Sequence, residues 1–198
     1  LSDDVAIAKK VVSKIGGNLN VFNLEKYFDL DFKKYFEKHS PLGIWSAAAL
    51  CYIKNFDQDA IHVRSTVSEI GRCFYGLSSG AKKVSGESLA GTYSGNGLAA
   101  RSDIIQIFND YIEKTQFYPD KFVGRDSNDM FYWEHRNSKW QNVLCQEAEM
   151  ATDVFIPFNN RNALELFLTA EPSERHRARI HKELIKQLAP ELETIEFC

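Results

Sequence analysis

The last third of the chain, from Asp129 to Leu192, interleaves aromatic and charged residues within segments that have helical character. Trp133, Glu134 and Arg136 lie close together, and Trp140 follows one helical turn later. A charged side chain inside an aromatic cluster is costly unless it is paired or used in binding. This stretch therefore predicts either a buried ion pair or a ligand site on a helical scaffold.

Composition narrows the class of protein. The 198 residues are 44% hydrophobic and 13% aromatic, which predicts one globular domain with at most a small appendage. A formal charge of -3 disfavours a nucleic-acid partner, and no apolar run is long enough to predict a membrane span. The four cysteines form no CxxC motif, and the chain opens without a leader-like segment. We therefore expect reduced thiols, a cytoplasmic location and no zinc site.

The fold class follows from the order of the predicted elements. Helices alternate with two short strands, Asn18–Phe22 and Ala60–Ser65, in the first third of the chain. This alternation favours a parallel sheet covered by helices. Beyond Ile104 the pattern is mainly helical, including predicted helices over Asp129–Met150 and Ser173–Leu188. We predict an α/β fold with a small parallel sheet, in which the two strands are neighbours, and a large mainly α-helical C-terminal part.

A compositional change divides the chain into three predicted regions. Gly, Ser, Ala and Lys dominate residues 76–103, where large aliphatic residues nearly vanish. This composition predicts a flexible loop or lid between a partial α/β nucleotide-binding-like domain (1–75) and a helical C-terminal region (104–198). The G-N-G-L-A-A sequence at 95–100 matches a dinucleotide-binding fingerprint only loosely, because no strand is predicted before it.

Two motifs resemble a known family. Residues 63–70 read V-R-S-T-V-S-E-I, and residues 156–161 read I-P-F-N-N-R before an apolar helix, a P-S-E-R segment and Lys182. The first resembles the S-G-x-G-x-D-E-[IL] segment that faces ATP, magnesium and substrate in asparagine synthetase-like enzymes, and the second resembles their P-F-L-D helical region. The opening helix and the N-V-F segment resemble a β-α-β unit of the adenine-nucleotide α-hydrolase fold, which is Rossmann-type. The glycines of the acidic motif are absent, and Asn160 replaces an Asp.

The resemblance implies an ATP-dependent adenylate- or amide-forming enzyme that acts on a small molecule with ATP and magnesium, this chain being its C-terminal portion. The S-G-G-x-D-S pyrophosphate loop of that superfamily does not occur in these residues. An upstream segment or a partner chain would supply the loop, so we expect the chain alone to be inactive. The alternative is a non-catalytic domain of the same ancestry that binds a nucleotide or a protein. The basic helix at 174–186 keeps a nucleic-acid-modifying enzyme as a disfavoured third possibility.

For four charged residues, side-chain chemistry alone indicates a binding role and a structural alternative. Glu69, beyond a predicted strand, can hold magnesium, or it can be an acid at a helix N-terminus. Arg72 can bind the nucleotide or pair with Glu69 three residues earlier. Arg136, flanked by aromatic residues, can bind a phosphate or carboxylate, or form a buried pair with a Glu. Lys182 can neutralise pyrophosphate, or belong to a solvated basic face.

With the resemblance, these residues give a predicted site in a cleft beyond the C-terminal ends of the strands. The predicted catalytic residues are Lys182 and Glu69, the latter also as the magnesium ligand. The predicted nucleotide-binding residues are Ser65, Arg72, Arg136 and Arg161. The predicted substrate-binding residues are Trp133, Glu134, Trp140 and Asn160.

Overall fold

The computed structural model describes residues 3–40, 42–57, 59–78, 84–99 and 101–196. These residues are mostly helical with a small two-stranded parallel sheet, so the coarse α/β class is confirmed. Two compact units are interleaved along the chain, whereas the sequence predicts three consecutive regions. Unit 1 comprises Leu1–Arg64, Val143–Phe155 and Ala178–Cys198, and unit 2 comprises Ser65–Asn142 and Ile156–Arg177. Within the described ranges, no helix is both long and apolar enough to cross a membrane.

Helices supply most of the regular structure of both units. The α-helices are α1 (Asp3–Ile15), α2 (Leu30–His39), α3 (Ser46–Asn55), α4 (Gly86–Ser94), α5 (Asn96–Ala99), α6 (Ser102–Thr115), α7 (Ser127–Phe131), α8 (Asn142–Glu149), α9 (Arg161–Thr169), α10 (Pro172–His176) and α11 (Arg179–Leu188). Short 3₁₀ helices cover Leu24–Tyr27, Thr66–Arg72, Pro119–Lys121 and Pro190–Leu192, and a π-helix covers Tyr132–Gln141.

The sheet lies in unit 1 and joins distant parts of the chain. β1 (Ile61–Val63) runs parallel to β2 (Asp153–Phe155), with Ile61 opposite Asp153 and Val63 opposite Phe155. The predicted strand at Ala60–Ser65 is therefore confirmed at its centre. The predicted partner Asn18–Phe22 is wrong, because that segment forms no strand. The sequence analysis predicts no strand at β2, which has three residues. A Rossmann-type arrangement stays a prediction.

The helical part of unit 1 buries its own side chains. α2 begins after Asp29, whose carboxylate accepts hydrogen bonds from the backbone N–H groups of Asp31 (3.0 Å) and Phe32 (2.8 Å). α2 packs against α3, and Phe36 of α2 and Cys51 of α3 are fully buried. The other two cysteines of the described chain, Cys73 in unit 2 and Cys145 in unit 1, are also buried, and Cys198 lies outside the described residues.

Unit 2 is built around an aromatic core in which α4 packs tightly on α6. Gly86 at the start of α4 donates its N–H to Asn109 Oδ1 (2.9 Å), and a Cβ at Gly86 would lie 2.3 Å from the carbonyl oxygen of Ile105. Leu89 and Ala90 of α4 are buried in the same core. The buried residues of this core are Leu89, Ala90, Phe108, Ile112, Phe117, Phe122, Met130 and Phe131.

The helices α4 and α5 correct the prediction of a loop over residues 76–103. The small residues that predicted a loop instead let two helices approach closely, because a larger side chain at Gly86 would meet the backbone of α6. Residues 79–83 and Ala100, which also belong to the predicted loop, lie outside the described residues.

The predicted helix over Ser173–Leu188 is interrupted. α10 ends at His176 and α11 begins at Arg179, with Ala178 between them in the left-handed region (φ 55°). Its basic residues consequently do not share one solvated face. Arg175 of α10 is buried, with 2% exposure.

Candidate functional site

The predicted helix over Asp129–Met150 is confirmed, and its centre is a π-helix. α7 precedes the π-helix and begins after Asp126, whose side chain accepts a hydrogen bond from the N–H of Asn128 (2.8 Å). π-helical turns are rare and occur frequently at functional sites. Arg136 and Trp140 lie four residues apart in the π-helix and are in contact.

Three segments of unit 2 place aromatic rings around Arg136. The guanidinium carbon lies 5.4 Å from the ring centre of Phe74, 5.6 Å from that of Tyr93 and 5.3 Å from that of Trp140. Phe74 follows the 3₁₀ helix Thr66–Arg72, and Tyr93 belongs to α4. We call these four residues the Arg136 cluster. Each distance is within the range of a cation–π interaction.

Arg136 has aromatic neighbours where the sequence left open a buried pair with a Glu. Among the described residues, no carboxylate oxygen lies within 4.0 Å of its guanidinium nitrogens. Its side chain is half-buried. Because guanidinium has five N–H donors and cannot lose its charge in a protein, this group is equipped to bind an anion.

The electrostatic surroundings connect Arg136 with Glu69. The hydroxyl of Tyr132 donates a hydrogen bond to the carbonyl oxygen of Thr66 (2.6 Å), which joins the π-helix to the 3₁₀ helix. Burial raises the pKa of Tyr132, the charge of Glu69 raises it further, and Arg136 opposes the increase. Burial likewise raises the pKa of Tyr75, again opposed by Arg136. The charges of Glu69 and Arg136 therefore both affect the pKa of the Tyr132 hydroxyl, in opposite directions.

His135 contacts the Arg136 cluster, with its ring centre 5.5 Å from that of Tyr93. His135 stacks on Phe131 with ring centres 4.7 Å apart and is almost fully buried. Burial, assisted by the positive charges of Lys139 and Arg136, lowers the pKa of His135 to about 4. The imidazole of His135 is thus uncharged near pH 7 and adds no positive charge to that of Arg136. Partial burial also raises the pKa of Glu134.

The predicted magnesium ligand is already paired. Glu69 Oε1 lies 3.2 Å from Arg72 Nη1 within the 3₁₀ helix, which is the ion pair that the sequence offered as an alternative. Within the part of the chain that the structure describes, no group of three or more His, Cys, Asp or Glu residues could hold a metal. Magnesium binding by Glu69 stays a prediction, since this ion takes only one or two protein carboxylates together with substrate phosphates.

Two other predicted site residues stabilise the N-terminal turn of α9. The side chain of Asn160 caps the helix by accepting a hydrogen bond from the N–H of Ala163 (3.2 Å). Arg161, which is exposed, lies 2.8 Å from Glu165 one turn later. These contacts account for both residues as local stabilisers of a helix N-terminus.

The remaining predicted residues are dispersed. Ser65 is exposed, and its carbonyl oxygen accepts a hydrogen bond from the N–H of Ser68 (2.8 Å) at the start of the 3₁₀ helix. Trp133 packs against the aromatic core. Lys182 is exposed on α11 in unit 1, beside a surface depression of about 540 Å³ that is also lined by Glu183 and Lys186. The convergence of Lys182 with the residues of unit 2 stays a prediction.

Sequence reasoning identified Arg136 and Trp140 but missed Phe74 and Tyr93. These two rings come from segments more than forty residues before Arg136, so no local spacing could indicate them. Comparisons of the chain with models of known protein families, with curated proteins and with solved structures each give no match. Geometry is therefore the main basis for a functional interpretation.

Proposed function

We propose that unit 2 binds a nucleotide, or another small molecule that carries a phosphate, through Arg136. The observation that supports this proposal is a guanidinium in contact with three aromatic rings and with no carboxylate within ion-pair distance in the described residues. Contact with the three rings restricts the orientation of the guanidinium before any ligand binds. Its N–H donors can then form two parallel hydrogen bonds to a phosphate with little further loss of entropy.

The aromatic members of the Arg136 cluster favour a nucleotide over inorganic phosphate. Phe74 is 47% exposed, and Trp140 is half-buried. Stacking of a base on an aromatic side chain contributes about 1–3 kcal/mol. A base next to the bound phosphate could therefore stack on ring surface that the protein leaves accessible.

The wider proposal, an ATP-dependent adenylate- or amide-forming enzyme, adds a chemical step to this binding. Arg136 would account for phosphate binding in such an enzyme and would hold negative charge as it develops. The roles of Glu69 and Lys182 in that step derive from the family resemblance alone. A domain that binds a nucleotide without turnover needs only the Arg136 cluster, so it is the narrower form of the proposal.

The test compares nucleotide binding by the wild-type chain and by two Arg136 variants. Titration with ATP, AMP and pyrophosphate is followed by tryptophan fluorescence, since Trp140 contacts Arg136, and by calorimetry. Arg136→Met should weaken ATP binding by about tenfold or more, because a hydrogen bond to a charged group contributes about 1.5–3 kcal/mol. Arg136→Lys should lose less, because it keeps the charge and loses the paired geometry.

Arg101→Met is the matched control. Arg101 is an exposed arginine of unit 2 that lies 2.5 Å from Asp103, and its replacement changes the net charge equally. It should leave ATP binding unaltered. Equal ATP affinity of Arg136→Met and the wild-type protein would show that the Arg136 cluster is not the binding site.

A further inference from the structure

The parallel sheet of unit 1 has an open edge. Among the described residues, β1 pairs with β2 alone, so β1 is an edge strand. The N–H of Arg64 donates a hydrogen bond to the carbonyl oxygen of Phe155 in β2 (2.9 Å). Because successive residues of a strand direct their backbone groups to opposite sides, His62 also bonds to β2. Ile61 and Val63 consequently direct their N–H and C=O groups toward the open edge.

The side chains at this edge are apolar and accessible. Ile61 and Val63 are each more than half exposed, and so is Phe155, which lies opposite Val63 on the same face of the sheet. A groove of about 220 Å³ is lined by every residue from Ala60 to Val63, so space beside β1 is unfilled. An edge strand with unpaired backbone groups and exposed apolar side chains is a template for a further strand.

The charges at the ends of β1 favour a second copy of the chain as that further strand. Asp59 lies before β1 and is exposed, and Arg64 lies directly after β1. Antiparallel pairing of β1 with its copy places the acidic end of each strand beside the basic end of the other. Opposite charges on neighbouring strands stabilise their pairing, whereas parallel pairing of the two copies would bring like charges together.

The backbone specifies the register of this antiparallel pairing. When His62 lies opposite its own copy at a two-fold axis, Ile61 of each chain lies opposite Val63 of the other. These are the residues that direct their N–H and C=O groups toward the open edge, so each Ile61–Val63 pair exchanges both N–H···O=C bonds of a hydrogen-bonded antiparallel pair. The apolar side chains of each pair then contact each other across the two strands.

We propose that the protein associates with a second copy of itself through β1, which creates a continuous sheet in the order β2–β1–β1–β2. The interface is isologous, because the same edge serves both copies. Strands of three residues bury little surface, so the association is weak and reversible. It is independent of the proposed nucleotide binding, because the sheet belongs to unit 1 and Arg136 belongs to unit 2.

Amide hydrogen exchange of the full chain, measured by NMR at about 20 µM and about 1 mM protein, tests the backbone pairing. Ile61 and Val63 should exchange about threefold more slowly at the higher concentration, because their N–H groups become hydrogen-bonded. His62 and Arg64 are internal controls whose rates should change far less, since their N–H groups already bond to β2. Sedimentation equilibrium over the same range should give a monomer–dimer Kd of about 100 µM.

Substitution by proline tests whether the edge of β1 is the interface. Val63→Pro removes an N–H group at the open edge and keeps those that bond to β2, and proline is tolerated in edge strands. It should weaken dimerisation at least about tenfold, because the hydrogen-bonded pair is broken in both copies. Val21→Pro is the matched control, since Val21 is an exposed valine of unit 1 outside the sheet, and it should leave dimerisation unchanged.

Charge reversal provides a second test that holds even if Val63→Pro does not fold. Asp59→Lys and Arg64→Glu should each weaken dimerisation, and the double variant should restore it, because each acidic end again meets a basic end. A chain that is monomeric at every concentration would overturn the proposal. So would a dimer in which the exchange of Ile61 and Val63 is unchanged, or one that a folded Val63→Pro chain forms as readily as the wild-type protein.

Discussion

Arg175 carries a positive charge into the interior of unit 2. Its Nη2 lies 2.7 Å from Asp129 Oδ2, and both side chains are 2% exposed. The same guanidinium donates hydrogen bonds to the carbonyl oxygens of Ala170 (3.1 Å) and Ile70 (3.2 Å). One side chain therefore connects α10 with α7 and with the 3₁₀ helix that precedes Phe74 of the Arg136 cluster.

Replacing Arg175 with Met should destabilise unit 2 by about 3–5 kcal/mol, because Asp129 would remain buried without a compensating charge. The free energy of unfolding, from urea titration monitored by tryptophan fluorescence, measures this loss. A second change, Asp129→Asn, made in the Arg175→Met chain should recover part of the stability, since it removes the uncompensated charge. Arg161→Met, at an exposed pair, should leave stability almost unchanged. Equal stability of Arg175→Met and the wild-type protein would contradict a structural role for the pair.

The contrast between Arg175 and Arg136 shows how far residue type alone can be interpreted. The sequence places each arginine in a helical segment rich in charged residues. Spacing predicted a binding role for Arg136 because Trp140 lies one turn away, with a buried pair to a Glu as the alternative. It assigned Arg175 to a solvated basic helix, whereas Arg175 is paired inside the protein. Asp129 is 46 residues distant in sequence, so no local pattern could indicate that contact.

Among the helices, the contact of α4 with α6 provides the clearest test of packing. Gly86→Ala would put a Cβ 2.3 Å from the carbonyl oxygen of Ile105, a backbone atom that cannot move aside. We expect a loss of about 1–3 kcal/mol from overpacking. Gly91→Ala, in the same helix, meets only Ala99 at 3.7 Å and should be neutral or slightly stabilising.

Thermal unfolding of both variants measures the difference. A mobile lid over residues 76–103, as the composition predicted, would tolerate Gly86→Ala as well as Gly91→Ala. A selective loss for Gly86→Ala would show that α4 belongs to the packed part of unit 2. Equal melting temperatures would favour the lid.

For the molecule as a whole, we expect ATP binding without catalytic turnover. No S-G-G-x-D-S segment occurs among the 198 residues. We therefore expect this chain to bind ATP through Arg136 and to show no exchange of labelled pyrophosphate into ATP. The assay runs with magnesium and with a protein concentration above the measured Kd. Exchange that increases with protein concentration and disappears in Arg136→Met would contradict the expected inactivity and support the wider enzymatic proposal.

The sequence by itself determined the helical character of the chain and the strand at β1. It offered the Glu69–Arg72 ion pair as one of two alternatives, and its spacing placed Trp140 beside Arg136. All of these depend on residues close together in the chain, where periodicity and side-chain spacing specify the contacts. Tertiary structure alone decided that β2 pairs with β1, that Phe74 and Tyr93 complete the Arg136 cluster, and that Arg175 is buried. These contacts join segments far apart in sequence, and they form because burial of apolar surface brings together residues that no local pattern relates.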